Sequence, residues 1–68
     1  MSISPENVKK LRKRADLTQT DAGKSVHVSL RTWQNWESSK ELKNHRSIPT
    51  AYVELFCIKH NIPFPPTF

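Results

Sequence analysis

Apolar residues recur along this chain at helical rather than strand spacing. Val8, Leu11 and Ala15 fall at i, i+3 and i+7 and give one narrow apolar face. Ser4, Pro5 and Glu6 supply a capping hydroxyl, a proline at the first helical position and an acid in the first turn, so the pattern predicts a first helix over 5–15. Thr18, Gln19, Thr20 and Asp21 read as a capping box opening a second helix that runs to about residue 26. Ser29 with Thr32 marks a third start, after which Trp33 and Trp36 lie one turn apart on one face. A fourth helix is expected from near Ile48 or Pro49 to about His60. Within it Tyr52, Leu55, Phe56 and Lys59 follow helical spacing, and Val53, Cys57 and Ile58 widen the apolar surface. The end of the chain, NIPFPPTF, is rich in proline and is expected to be extended. The fold class is all-α.

Length and charge then limit the partners. A chain of 68 residues is expected to be one domain over 1–68, with 61–68 as its extended tail. Its core is thin, worth roughly 3–5 kcal/mol unless a partner subunit adds buried area. Eleven Lys and Arg against six Asp and Glu give a formal net charge of +5, which favours nucleic acid or a membrane surface. No apolar run reaches membrane-spanning length. The opening MSISPENVKK lacks the basic-then-apolar order of a signal peptide, so a cytoplasmic location without a membrane partner is expected. The lone Cys57 cannot form an internal disulfide, which fits a reducing compartment. Lys9, Lys10, Lys13 and Arg14 are either a solvated face or, in part, phosphate contacts. Gly23 costs a helix roughly 1 kcal/mol relative to alanine. Its presence points to another backbone close by, expected to be the third helix.

The third helix carries the chemistry. At 100° per residue, Arg31 and Asn35 point almost opposite the two tryptophans, with Gln34 and Leu30 flanking them. Arg can bridge guanine O6 and N7, and Gln or Asn can bridge adenine N6 and N7. An ordinary amphipathic surface helix would show the same division of faces.

The run LRKRADLTQTDAGKSVHVSLRTWQNWE resembles the lambda-repressor-like helix-turn-helix family of Cro, CI and Xre type, aligning without a gap over about residues 8–37. The resemblance implies a small four- to five-helix DNA-binding domain with its helix-turn-helix at the second and third helices. It implies a sequence-specific transcriptional regulator, most like a small phage Cro-type repressor in a bacterial host cell or nucleoid, occupying an operator on double-stranded DNA. The alternative is a protein-interaction module on the same fold, such as an antitoxin or anti-repressor. By resemblance, Leu30, Arg31, Gln34 and Asn35 would contact bases, Arg31 foremost at guanine, with Leu30 equally readable as a contact to a thymine methyl or as a lid on the core. Gln19 and Ser29 would contact phosphate, and Thr32 would serve phosphate or helix packing. Lys43 and Arg46, grouped with Lys40 in the polar link SSKELKNHRS, would grip the DNA backbone or remain solvated. Arg12 and Glu37 would form a structural pair joining the first helix to the end of the third, beside the structural Trp33 and Trp36.

The chain departs from the family pattern at Gly23, where alanine is usual, and at His27, where glycine is usual. That turn position needs a left-handed backbone, which costs a side-chain-bearing residue roughly 1–2 kcal/mol. His27 is read as turn filler, with a pH-sensing or phosphate role as the alternative. The apolar surplus of the fourth helix, with Phe64 and Phe68 in the tail, suggests a homodimer on a palindromic site. Cys57 and His60 offer at most half a zinc site, and nothing resembles an activated nucleophile or paired carboxylates. No enzyme activity, catalytic residue, cofactor, metal or small-molecule ligand is expected.

Overall fold

Three of the four helices begin on a serine or threonine hydroxyl that satisfies an otherwise free N–H, and this is how the sequence punctuates itself. In a computed structural model, which describes residues 3–39, 41–43 and 45–68, α1 spans Pro5–Arg14, α2 Gln19–Ser25, α3 Leu30–Glu37 and α4 Thr50–Lys59. Ser4 Oγ accepts from the Asn7 N–H at 3.1 Å, Thr18 Oγ1 from Asp21 at 3.1 Å and Ser29 Oγ from Thr32 at 3.2 Å. Pro49 precedes α4 with no side-chain cap. The architecture is all-α, and no strand occurs among the described residues. Each predicted helix lies within a residue or two of its expected bounds. Lys40, grouped by sequence with Lys43 and Arg46, lies outside the described residues.

Helix ends follow a second rule that the sequence hid. Asp16, His27 and Asn61 all take a left-handed backbone, with φ of 57, 64 and 56°. Each is followed by a residue whose N–H reaches back five positions: Leu17 to Arg12 O at 3.3 Å, Val28 to Gly23 O at 2.9 Å and Ile62 to Cys57 O at 2.9 Å. This is the Schellman stop, usually built on glycine. The lone glycine of the chain is used elsewhere. A Cβ on Gly23 would meet Val28 O at 3.1 Å and Ser29 O at 3.2 Å, so the close backbone predicted there is the turn and the cap of α3. The strain at His27 is removable. His27→Gly is expected to raise stability by about 1 kcal/mol, or ~5 °C in Tm, once the extra unfolded-state entropy of glycine is deducted. Thermal unfolding followed by circular dichroism checks this, and an unchanged or lower Tm would show that the His27 side chain contributes more than its backbone costs.

The core gathers around Trp33. Val8 and Leu11 from α1, Ala22 and Val26 near α2, both tryptophans, and Val53, Phe56 and Cys57 from α4 are buried, joined by Ile48 before α4 and Ile62 after it. Trp33 stands edge-on to Trp36, with centroids 5.4 Å apart and planes at 62°, and lies 5.4 Å from Phe56. The buried stripe of α4 is Val53, Phe56 and Cys57, one position on from the expected stripe through Tyr52, Leu55 and Phe56. Tyr52 and Leu55 are half-buried, whereas Ile58 is 68% exposed. Because α4 is apolar around most of its circumference, periodicity did not select a face. Packing did.

His60 fastens the end of α4 to the end of α2. The Ser25 hydroxyl donates to Ala22 O at 2.7 Å, so His60 Nε2–H donates to Ser25 Oγ at 3.1 Å, while the imidazole lies 4.4 Å from the Phe56 ring. Burial, with the nearby Lys59 charge, holds the His60 pKa below its usual value. The tail has no helix among its described residues. Pro66 is buried, whereas Phe64 and Phe68 remain exposed.

Candidate nucleic-acid interface

Between α2 and α3 the chain turns on three residues, Val26, His27 and Val28, before Ser29 caps α3. The left-handed His27 and the missing Cβ at Gly23 let α3 start directly against α2. Burial of Trp33 and Trp36 fixes the rotation of α3 about its axis, because two large rings one turn apart fit the core in one orientation only. The opposite side of α3 is therefore set. Leu30, Arg31 and Gln34 are exposed and Asn35 is half-buried. No carboxylate stands in the first turn of α3. Among the described residues, the side chains of Arg31 and Gln34 have no hydrogen-bond or ion-pair partner. Leu30 is 40% exposed.

The Arg12 and Glu37 pair locks α3 from behind. Arg12 Nε donates to Glu37 Oε2 at 2.7 Å and its Nη2 to Oε1 at 3.2 Å, with side chains only 13% and 6% exposed. Arg12 Nη1 also donates to Leu17 O at 3.0 Å, which braces the link from α1 to α2. The sequence missed two further donors. Trp33 Nε1 donates to Glu37 Oε2, and Gln19 Nε2 donates to Oε1 at 3.2 Å. The i, i+4 spacing of Trp33 and Glu37 was a readable signal for the first, but nothing local announced the second. Burial by itself pushes the Glu37 carboxyl up, yet the Arg12 and Trp33 hydrogen bonds, the Arg12 charge and the Gln19 amide outweigh it and hold the pKa below its ordinary value. One carboxylate thus ties α1, α2 and α3 together. Gln19, expected at phosphate, has its amide nitrogen committed in part to this knot.

Other expected contact residues are distributed as follows. Ser29 Oγ donates to Thr32 Oγ1 at 3.1 Å, so the two hydroxyls form one cap rather than two free groups. Lys43 is exposed. Arg46 folds its Nη1 onto Lys43 O at 3.3 Å and His45 O at 2.7 Å, and its backbone N–H bonds Asn35 O at 3.1 Å, which seats the link against the end of α3. Nδ1 of His45 donates to Ser38 O at 2.9 Å in the same link. Cys57 is buried, which raises its thiol pKa despite the Arg14 charge. No group of three or more His, Cys, Asp or Glu side chains able to hold a metal occurs among the described residues. No helix is long and apolar enough to cross a membrane among them.

The fold is a small all-α unit, free of sheet among the described residues, with a polar outer face on α3. No family model matches the chain. It is similar to the Type II methyltransferase M.MspI of Moraxella sp, with 47% identity over 38 residues, or 56% of this chain and 9% of the methyltransferase. The chain thus spans about a tenth of the length of that relative. A stretch of 38 residues in a chain of 68 cannot begin after residue 31 or end before residue 38, so it includes Arg31, Gln34, Asn35 and Glu37 wherever it lies.

This similarity corrects the sequence-based reading. The relative is a DNA methyltransferase, not a lambda-repressor-like regulator, so assignment to the Cro, CI and Xre type is overturned. The transcriptional repressor of phage type falls with it, and the antitoxin or anti-repressor alternative gains no support. The expectation of no enzymatic role is overturned as well, because the named relative is a DNA-modifying enzyme. The physical reason is that capping, apolar spacing and a polar recognition face specify a way of packing helices, and one such packing serves many functions.

Proposed function

We propose that this chain binds double-stranded DNA by laying α3 in the major groove, as the DNA-holding part of a DNA-modifying methyltransferase system. In this proposal α2 and α3 form a helix-turn-helix. Arg31, Gln34 and Asn35 contact base edges with Leu30 beside them, while Gln19, Ser29, Thr32, Lys43 and Arg46 face phosphates. The observation that carries the reading is that the stretch matched to a DNA methyltransferase necessarily includes Arg31, Gln34 and Asn35 of α3, of which Arg31 and Gln34 are exposed and unpaired among the described residues. The net charge of +5 supports it, since counterion release from DNA rewards basic chains. The exposed Ile58, Phe64 and Phe68 offer apolar surface for a second copy on a palindromic site.

Selection from a random duplex pool, run in parallel with the chain and with M.MspI, tests this. The expected result is an enriched motif that overlaps between the two and is palindromic if two copies bind. Arg31→Ala is expected to weaken binding by about 1–3 kcal/mol and to relax preference at one base pair. Lys43→Ala is expected to weaken all sequences alike and to lower the slope of log K against log salt by roughly 0.9. No enrichment, or preferences untouched by Arg31→Ala, would sink the proposal or its register.

A further inference from the structure

We propose that Leu30 and Arg31 together read a major-groove methyl group beside a guanine, the chemistry shared by thymine and by cytosine methylated at C5. The inference rests on the DNA-binding reading above and adds the chemical feature recognised. Leu30 occupies the first position of α3, is 40% exposed and stands outside the core cluster that holds Val26 and Trp33. Its exposed neighbours Ser29, Arg31 and Gln34 are all polar. The one apolar side chain on this face therefore stands inside a ring of hydrogen-bonding groups, the arrangement that a methyl group among base edges would complement.

In the major groove the apolar feature of an ordinary base pair is the C5 methyl of thymine. A cytosine methylated at C5 places the same group at the same point, whereas cytosine and uracil carry only hydrogen there. Arg31, the next residue, has its guanidinium free for the paired acceptors O6 and N7 of guanine. A recognition helix that enters the groove by its N-terminal end brings its first residues to neighbouring base pairs. Leu30 against the pyrimidine C5 and Arg31 on the adjoining guanine then read one pyrimidine–guanine step. Such a reader in a methyltransferase system responds to the product of the reaction as well as to its sequence.

The test uses the full chain and the duplex recovered by selection, with the pyrimidine before the Arg31-dependent guanine synthesised as thymine, uracil, cytosine or 5-methylcytosine. Thymine and uracil differ by the methyl alone, as do 5-methylcytosine and cytosine. The methyl-bearing member of a pair is expected to bind roughly three- to fivefold more tightly, the worth of one buried methyl. Leu30→Ala is expected to flatten that ratio, whereas Arg31→Ala lowers affinity for all four duplexes. A preference confined to thymine assigns the methyl to thymine, and one that includes 5-methylcytosine assigns it to modified DNA as well. Equal affinities within both pairs, with binding otherwise intact, overturn this inference and leave the DNA-binding reading standing. Failure to bind any duplex overturns the DNA-binding reading, and this inference with it. The unsubstituted chain on the four duplexes decides the matter without relying on either variant to fold.

Discussion

Arg12→Ala is expected to cost about 3–5 kcal/mol, nearly the whole stability of a domain this small. The reason is the carboxylate left behind. Glu37 is only 6% exposed, and without the guanidinium it keeps two neutral donors, Trp33 Nε1 and Gln19 Nε2, for a full negative charge. The loss should exceed that of Glu37→Gln, which removes the charge and retains a side chain of the same shape. Urea unfolding of the three proteins would measure this. A loss for Arg12→Ala within 1 kcal/mol of the unsubstituted chain would mean that water replaces the arginine and that the pair is an ordinary surface bridge.

The same carboxylate sets an acid limit. A group whose pKa is lower folded than unfolded contributes stability above its unfolded value, and that contribution is lost as pH falls through the folded one. For Glu37 the loss begins near its ordinary value of 4.5 and continues below it. His60 obeys the same sign, because its folded pKa lies below 6.5 and protonation favours the unfolded chain as pH falls beneath that value. Unfolding midpoints should therefore hold steady from pH 8 to 7, decline gently through the histidine range and fall further below pH ~4.5. Glu37→Gln is expected to remove its share of the last step while leaving the first intact.

Trp33→Ala is expected to cost about 3–5 kcal/mol and to leave the chain largely unfolded at room temperature. Trp33 is fully buried and contacts the rings of both Trp36 and Phe56. Its removal opens a cavity between α3 and α4 that short helices around a thin core cannot close. It also withdraws a hydrogen bond from Glu37. Trp33→Phe separates the two effects, since the ring remains and the N–H is lost, and a smaller penalty of roughly 1–3 kcal/mol is expected. Amide NMR dispersion and urea midpoints would report both. A well-folded Trp33→Ala protein would place the core elsewhere than around this ring.

Much of the fold was legible because its signals are local. Ser4, Thr18 and Ser29 announce helix starts by chemistry acting over three residues, and Trp33 with Trp36 announces which side of α3 faces inward. The ends of helices were less legible, since Asp16 and Asn61 carry no mark of a left-handed backbone that an ordinary loop residue lacks. At His27 a pattern with glycine in that place drew attention to the turn. For the candidate site, the outward set of Arg31, Gln34 and Asn35 followed from angular arithmetic. The partners of Gln19 and the folded-back Arg46 did not, because they depend on side chains brought together from distant parts of the chain.

By itself the sequence determined the all-α class, the helix starts, the inward face of α3 and the basic character of the whole, since each arises from neighbours along the chain or from summed composition. Tertiary structure decided which stripe of the nearly all-apolar α4 is buried, left Leu30 uncovered at the head of α3, and drew Arg12, Gln19 and Trp33 onto the single carboxylate of Glu37. Those outcomes depend on competition among long-range contacts for a limited core, and no local pattern carries the result.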